Sequence, residues 1–145
     1  MQVAYICSPY RAKDKKTLKR NKKYARDITR IAIDCGLAPV TPHLYITKVV
    51  DDNDKEDRYT GLRAGLELLA RCDIVMYGSR YGISEGMAGE LQEARARGIP
   101  RIDIERCATA QELYNKITSG SGDAGCWATV QKMIKDIERD KKVIN

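Results

Sequence analysis

The sequence predicts an α/β domain in which helices flank a mostly parallel sheet of the flavodoxin-like or Rossmann-like type. Short apolar runs typical of buried strands recur along the chain, and longer segments with helical spacing of apolar residues separate them. Ligands of such sheets bind beyond the carboxyl ends of the strands. The loops at 8–11, 42–45 and 78–84 each follow a predicted strand, so we expect a site at that edge.

The first strand and helix are predicted from an apolar run and a helical repeat. Residues 2–7 form the apolar run, and Ser8 with Pro9 ends it in a loop. Residues 15–35 then carry apolar side chains at helical spacing, and Gly36 supplies a stop signal. We therefore expect a buried strand followed by a crossover helix.

The second strand and helix are separated by a charged segment. Residues 37–41 predict a short strand that ends at Pro42. The run DDNDKED at 51–57 is too charged to be anything but surface, and a helix is expected from about residue 58 to 71.

The third unit contains the most strand-like run of the chain, residues 72–77. A turn with glycine and serine follows at 78–84, and a helix is predicted from 85 to 97, where Gly98 ends it. This unit places a polar turn directly at the predicted ligand edge.

The rest of the chain predicts one more strand and two helices. Residues 100–104 form the strand, and Thr109 with Glu112 forms a capping box that opens a helix to about residue 118. A GSGDAG hinge precedes a final amphipathic helix at 126–142, which carries Trp127. We expect the α/β domain to span 1–120, with residues 121–145 packing on the domain or on a partner subunit.

The composition is that of a soluble globular domain. Of the 145 residues, 43% are hydrophobic and 32% charged, and no apolar run approaches the roughly 18 residues of a membrane span. The N-terminus lacks the features of a secretory signal, so a cytoplasmic location is expected. The five cysteines stand singly, and His43 is the only histidine, which argues against a disulfide framework or a metal site. We expect no cofactor.

The net charge of +6 comes largely from the segment between Arg11 and Arg26. This segment is interpreted as the solvated outer face of the first helix, or as a surface that attracts a phosphate-bearing small molecule or RNA. No base-stacking or base-reading pattern accompanies the charge. Nucleic acid is therefore the weaker interpretation.

The segment GISEGMAGEL carries the strongest functional signal. Ser84 is placed as an N-cap, and Gly86 and Gly89 weaken the helix that it opens, which suggests a close approach to the backbone. Glu90 lies one turn after Gly86 and should project across it toward the sheet edge, next to free N–H groups suited to an anion. The alternative is ordinary helix packing with an exposed Glu90.

This segment resembles the nucleophile motif of the nucleoside 2-deoxyribosyltransferase superfamily, including its deoxynucleotide N-glycosidases. The matching residues are Ser84, Gly86, Glu90, Leu91 and Ala94, and the opening Tyr5-x-Cys7-x-x-x-Arg11 is similar to the first strand and phosphate loop of the N-glycosidases. The resemblance covers residues 2–104. Its closest form is a set of small uncharacterised relatives that share YICSPYR, PHLY, LLxxCD and ISEGM.

The resemblance implies that Glu90 attacks the anomeric carbon of a nucleoside or nucleotide. Tyr5 would orient Glu90, Ser84 and Arg11 would hold a 5′-phosphate, and His43 would lie near the base, although a structural role is as compatible with the sequence. The predicted substrate contacts are Ser8, Arg11, His43, Ser84, Gly86 and Met87. A homodimer or higher homo-oligomer is also implied.

Two positions depart from the superfamily pattern. Gly65 stands where an aspartate usually helps to position the sugar or protonate the base, and Pro9 removes a backbone donor from the phosphate loop. Asp73 starts a strand and is interpreted as structural. The departure at Gly65 keeps open a second function, a protein that binds a nucleotide or an NAD derivative without turnover.

Overall fold

A computed structural model of the chain describes residues 1–107 and residue 115. Within them, one sheet in the order β2-β1-β3-β4 contains four strands, and each neighbouring pair is parallel. The strands are β1 (Val3–Cys7), β2 (Ala38–Val40), β3 (Ile74–Tyr77) and β4 (Arg101–Asp103), and the helices are α1 (Lys15–Asp34), α2 (Lys55–Leu69) and α3 (Glu85–Ala96). The predicted α/β class with a parallel sheet is confirmed.

Strand β1 divides its side chains between two cores, one on each face of the sheet. Ala4 and Ile6 pack in a cluster with side chains of α1, whereas Tyr5 and Cys7 pack in a cluster with side chains of α2 and α3. The alternation follows from the two-residue period of a strand. It directs Tyr5 toward the face of the sheet that α2 and α3 cover.

The ends of the helices have identifiable causes. Ser84 caps α3 as predicted, and Gly36 and Gly98 adopt φ values of 77° and 69° just beyond α1 and α3, a left-handed geometry in which glycine avoids a Cβ clash. Helix α2 begins at Lys55, three residues before the predicted start, because Asp54 accepts hydrogen bonds from the N–H groups of Glu56 and Asp57. None of the helices described here has the length and apolar character needed to cross a bilayer.

The cysteines within the described residues fill apolar space. Cys7, Cys35 and Cys72 are buried, and Cys107 is partly buried against the core on the α1 side. Cys35, Cys72 and Cys107 therefore contribute to core packing. Cys126, the Thr109–Glu112 capping box, the hinge, the helix that carries Trp127 and the domain boundary at 120 lie outside the described residues.

Candidate active site

The candidate site lies beyond the carboxyl ends of β1 and β3. The chain leaves β1 through α1 toward β2 on one side, and β3 leads through α3 to β4 on the other, so the strand order reverses between β1 and β3. Such a switch point leaves a crevice where two loops diverge. The crevice here is a cleft with an outer part of about 310 Å³ and an inner part of about 80 Å³. The outer part alone is the size of a small-molecule site.

Tyr5 and Glu90 meet at the base of the cleft. The phenolic O–H of Tyr5 donates a hydrogen bond of 2.7 Å to Oε1 of Glu90, and Tyr5 is 1% exposed. Strand β1 fixes the tyrosine, and the second turn of α3 carries the glutamate. The predicted pair is thus in contact, 85 residues apart in sequence.

Burial and hydrogen bonding act on the Glu90 carboxyl in opposite directions. Burial raises its pKa, whereas hydrogen bonds from Tyr5 and Cys7 lower it. Burial and the neighbouring Glu90 charge raise the pKa of Tyr5, so its phenol remains a neutral donor. Burial is the larger effect, so the pKa of Glu90 is raised overall, and the carboxyl is removed from bulk water while specific donors hold it.

The first turn of α3 forms one wall of the cleft. Ser84 Oγ accepts a hydrogen bond of 3.3 Å from the Met87 N–H, which leaves the hydroxyl hydrogen able to point at a ligand. A Cβ at Gly86 or Gly89 would have no neighbour within 4 Å. The expected close approach to this backbone is therefore absent within the protein itself, and Gly86 instead leaves a bare, open surface in the cleft.

Met87 has a different place from the one that its position on this turn suggests. It lines the cleft, but it is only 2% exposed and packs in the core cluster with Tyr5 and Cys7. Its carbonyl lies 4.0 Å from Cys7 Sγ and is an alternative acceptor to Glu90 for the single thiol hydrogen. Met87 therefore packs in the core that holds Tyr5, and its contact with substrate stays a prediction.

Ser8 and His43 form a second contact across the cleft. Ser8 Oγ and His43 Nε2 are 2.8 Å apart, and the ring of Tyr10 meets the imidazole edge-on at a centroid distance of 6.1 Å. Burial lowers the pKa of His43 to about 4. The imidazole is therefore neutral at pH 7, where it can donate or accept a hydrogen bond but does not supply a positive charge.

Two charged residues at the cleft mouth could not be singled out from the sequence. Asp52 lies 3.2 Å from Nε of Arg11 and 3.2 Å from Nη1 of Arg58. Both Asp52 and Arg58 line the cleft. The run at 51–57 does lie mostly at the surface, but Asp52 turns inward; the only available signal was its place in the loop after β2, at the ligand edge.

Gly65 faces the inner part of the cleft from α2. A Cβ built at Gly65 would lie 3.4 Å from the Tyr5 hydroxyl oxygen, so a side chain there would reach the Tyr5–Glu90 pair. Asp73, by contrast, accepts a hydrogen bond of 2.8 Å from the Val3 N–H at the opposite end of the sheet. The structural interpretation of Asp73 is confirmed.

All eight predicted site residues therefore lie around one cleft: Tyr5, Ser8, Arg11, His43, Ser84, Gly86, Met87 and Glu90. Their roles in binding and catalysis stay predictions. Within residues 1–107 and 115, no three His, Cys, Asp or Glu side chains are close enough together to hold a metal ion.

Comparison with known families identifies the chain at the level of a domain. Residues 2–104 match the model of the family described as Domain of unknown function (DUF7768). The chain belongs to this family. The matched range contains every residue of the cleft named above.

A solved structure has a similar fold. The chain is similar to a 2-deoxyribosyltransferase from the psychrotolerant bacterium Bacillus psychrosaccharolyticus, with a TM-score of 0.53 and 22% sequence identity over 68% of each chain. A likeness at this identity shows a shared fold. A search of curated protein sequences finds no significant match.

Proposed function

We propose that this protein cleaves or transfers the N-glycosidic bond of a nucleoside or nucleotide, with Glu90 as the nucleophile. The observation that carries the proposal is the hydrogen bond of 2.7 Å between Tyr5 and Glu90 at the base of a switch-point cleft. The similar structure from Bacillus psychrosaccharolyticus is described as a 2-deoxyribosyltransferase and as a biocatalyst for nucleoside synthesis, which supports the same class of substrate.

The proposed reaction has two displacements at the anomeric carbon. The Glu90 carboxylate attacks C1′, the C1′–O ester bond forms as the C1′–N bond breaks, and the base leaves with the bonding electron pair and takes a proton from water. Water or a second base then attacks C1′ as the ester bond breaks, its proton passes to the hydroxide left by the first step, and the Glu90 carboxylate is restored. Tyr5 holds Glu90 in position for both steps.

The neighbouring groups have roles that match this chemistry. His43 is neutral at pH 7 and can hydrogen-bond to a base, and Ser8 fixes the orientation of its ring. The Ser84 hydroxyl and the exposed start of α3 face the outer cleft, where the 5′ end of a sugar would lie. Bare Gly86 leaves space for the sugar ring in front of Glu90.

The test is release of free base from a panel of ribo- and deoxyribonucleosides, their 5′-monophosphates and NAD, followed by chromatography. We expect the native protein to release base and Glu90→Gln to lower the rate roughly a thousandfold or more, because the amide is not a nucleophile. Glu93→Gln is the matched control: it changes the same functional group one turn later on α3, where Glu93 pairs with Arg97 at 2.6 Å. Equal loss in both variants would contradict a nucleophilic Glu90.

A second candidate is a protein that binds a nucleotide or an NAD derivative without turnover. Gly65 favours it, because this bare position supplies no second carboxylate beside the Tyr5–Glu90 pair, where the resembled enzymes carry an aspartate. Under this function, thermal-shift measurements would show binding of a panel member while no base is released. Glu90→Gln would then change affinity only modestly.

A further inference from the structure

The mouth of the cleft is bridged by a three-residue charge network. Arg11 lies in the loop between β1 and α1, Arg58 lies in the first turn of α2, and Asp52 lies in the loop that leads into α2. Asp52 Oδ2 is 3.2 Å from Arg11 Nε, and its two oxygens are 3.2 and 3.3 Å from Arg58 Nη1. One carboxylate thus holds the two arginines from opposite sides of the cleft.

The two ion pairs differ in how firmly they are held. The Arg11 side chain is 59% exposed, whereas those of Arg58 and Asp52 are 31% and 30% exposed. An exposed ion pair contributes little because water screens it and its side chains lose freedom. Arg11 can therefore exchange Asp52 for another anion, while Arg58 keeps Asp52 at the mouth of the cleft.

Asp52 also decides the sign of the charge in the cleft. The ionisable carboxyls that line the outer part are Asp52, Glu85 and Glu90, against the two guanidinium groups of Arg11 and Arg58. His43 adds no positive charge at pH 7. With Glu90 ionised, the lining carries one negative charge in excess, and removing the charge of Asp52 would balance it.

We propose that Asp52 sets the charge selectivity of the cleft by competing with a ligand's 5′-phosphate for Arg11. The inference rests on the proposed function, since it concerns the 5′ end of a nucleoside bound with its anomeric carbon at Glu90. A neutral 5′-hydroxyl leaves the network intact. A phosphate has to replace Asp52 as the partner of Arg11 and then stay near the displaced carboxylate, which repels it.

The test compares binding of the four common 2′-deoxyribonucleosides with binding of their 5′-monophosphates, by calorimetry on the full chain. Asp52→Asn keeps the shape of the side chain and removes its charge, and Asp52→Ser checks that the result does not depend on the amide. We expect the affinity for the monophosphates to rise about tenfold in both variants, and the affinity for the nucleosides to change by less than about twofold.

Two further variants separate competition from a general effect of charge. Glu56→Gln removes the same charge from an exposed residue in the first turn of α2, outside the cleft lining, and should leave the selectivity unchanged. In Arg11→Met, the addition of Asp52→Asn should no longer favour the monophosphates. A gain that persists without Arg11, or an equal gain in Glu56→Gln, would overturn the proposal.

Failure of this inference can be told apart from failure of the proposed function. Nucleosides that bind and release base while Asp52→Asn leaves the ratio of affinities unchanged would refute the role of Asp52 alone. If neither the deoxyribonucleosides nor their monophosphates bind the native chain or either Asp52 variant, the role of Asp52 is refuted. The proposed function is refuted as well if no member of the full panel of ribo- and deoxyribonucleosides, monophosphates and NAD releases base.

Discussion

At the scale of single residues, the site depends on one buried hydrogen-bond donor, the Tyr5 hydroxyl, which bonds to the Glu90 carboxylate. Tyr5 is enclosed by the core on the α2 and α3 side, so its ring cannot turn away from Glu90 without disturbing that core. Burial raises the pKa of the Glu90 carboxyl overall, and the hydrogen bonds from Tyr5 and Cys7 oppose that rise, so Tyr5 is one of two donors that favour the ionised form. The Tyr5 hydroxyl on β1 thereby positions the Glu90 carboxyl on α3.

Tyr5→Phe should therefore raise the pKa of Glu90 further. The ring still fills its place in the core, but the carboxylate loses a hydrogen-bond donor, which favours its protonated form. Because Glu90 acts when ionised, the acid limb of kcat/KM should move to higher pH by the same amount. The pKa itself can be read from the pH dependence of the glutamate side-chain carbon signals in NMR, without any substrate.

Tyr24→Phe provides the control for this measurement. Tyr24 is also a buried tyrosine, and its hydroxyl donates a hydrogen bond of 2.7 Å to Glu105 on the other side of the sheet. Loss of the Tyr24 hydroxyl should leave the pKa of Glu90 unchanged. An unchanged Glu90 titration in Tyr5→Phe would show that the hydrogen bond does not tune the carboxyl.

At the scale of elements, α3 contains two glycines that serve no internal packing. Apart from the adjacent residues and backbone of α3 itself, no atom lies within 4 Å of a Cβ built at Gly86 or Gly89, and both residues have the helical backbone of α3. Each glycine should cost about 0.5 to 1 kcal/mol of stability relative to alanine. Gly86 lines the cleft one turn before Glu90, whereas Gly89 is outside the cleft lining.

Alanine at these two positions should separate stability from activity. Gly86→Ala and Gly89→Ala are each expected to raise the free energy of unfolding by about 0.5 to 1 kcal/mol, measured by urea denaturation. Only Gly86→Ala should also lower kcat/KM for base release, because its methyl group would occupy the surface in front of Glu90. An equal effect of both variants on activity would argue against a ligand seated over Gly86.

The sequence could predict the elements of this fold better than the loops between them. Apolar periodicity located β1 and α1, and the N-cap Ser84 located the start of α3, because these signals are local. The ion pair between Asp52 and Arg11 was not predictable, since it joins the loop before α2 to a residue 41 positions earlier. A charged run also carries no periodicity that shows which of its members faces inward. The early start of α2 was missed for a related reason: Asp54 acts as a cap within that same run.

At the scale of the whole molecule, the chain's single histidine couples the site to the stability of the fold. Burial lowers the pKa of His43 to about 4, from an ordinary value of 6.5. As the pH falls below 6.5, the unfolded chain gains a proton on His43 that the folded protein does not take up until about pH 4. The free energy of unfolding should therefore fall across this window as the medium is acidified, by up to about 3 kcal/mol from this group.

Glu90 acts in the opposite direction over part of the same range. Its pKa is raised on folding, so its contribution to stability is fully present below the unfolded value of 4.5 and is lost as the pH rises through the folded value. A pH profile of the native protein alone would mix the two effects. The difference between the native protein and a variant that lacks only the imidazole isolates His43.

His43→Gln should flatten the loss of stability between pH 6.5 and 4. The chain has no other histidine, so the variant has none to titrate in either state, and glutamine can still hydrogen-bond to Ser8. Urea denaturation at pH 7.5, 5.5 and 4.5 should show the native protein losing more stability on acidification than the variant. The contrary result is a difference in free energy of unfolding between the native protein and the variant that stays constant with pH. It would mean that His43 has the same pKa in the folded and unfolded states. The imidazole would then be solvated and able to carry a charge in the site near pH 6.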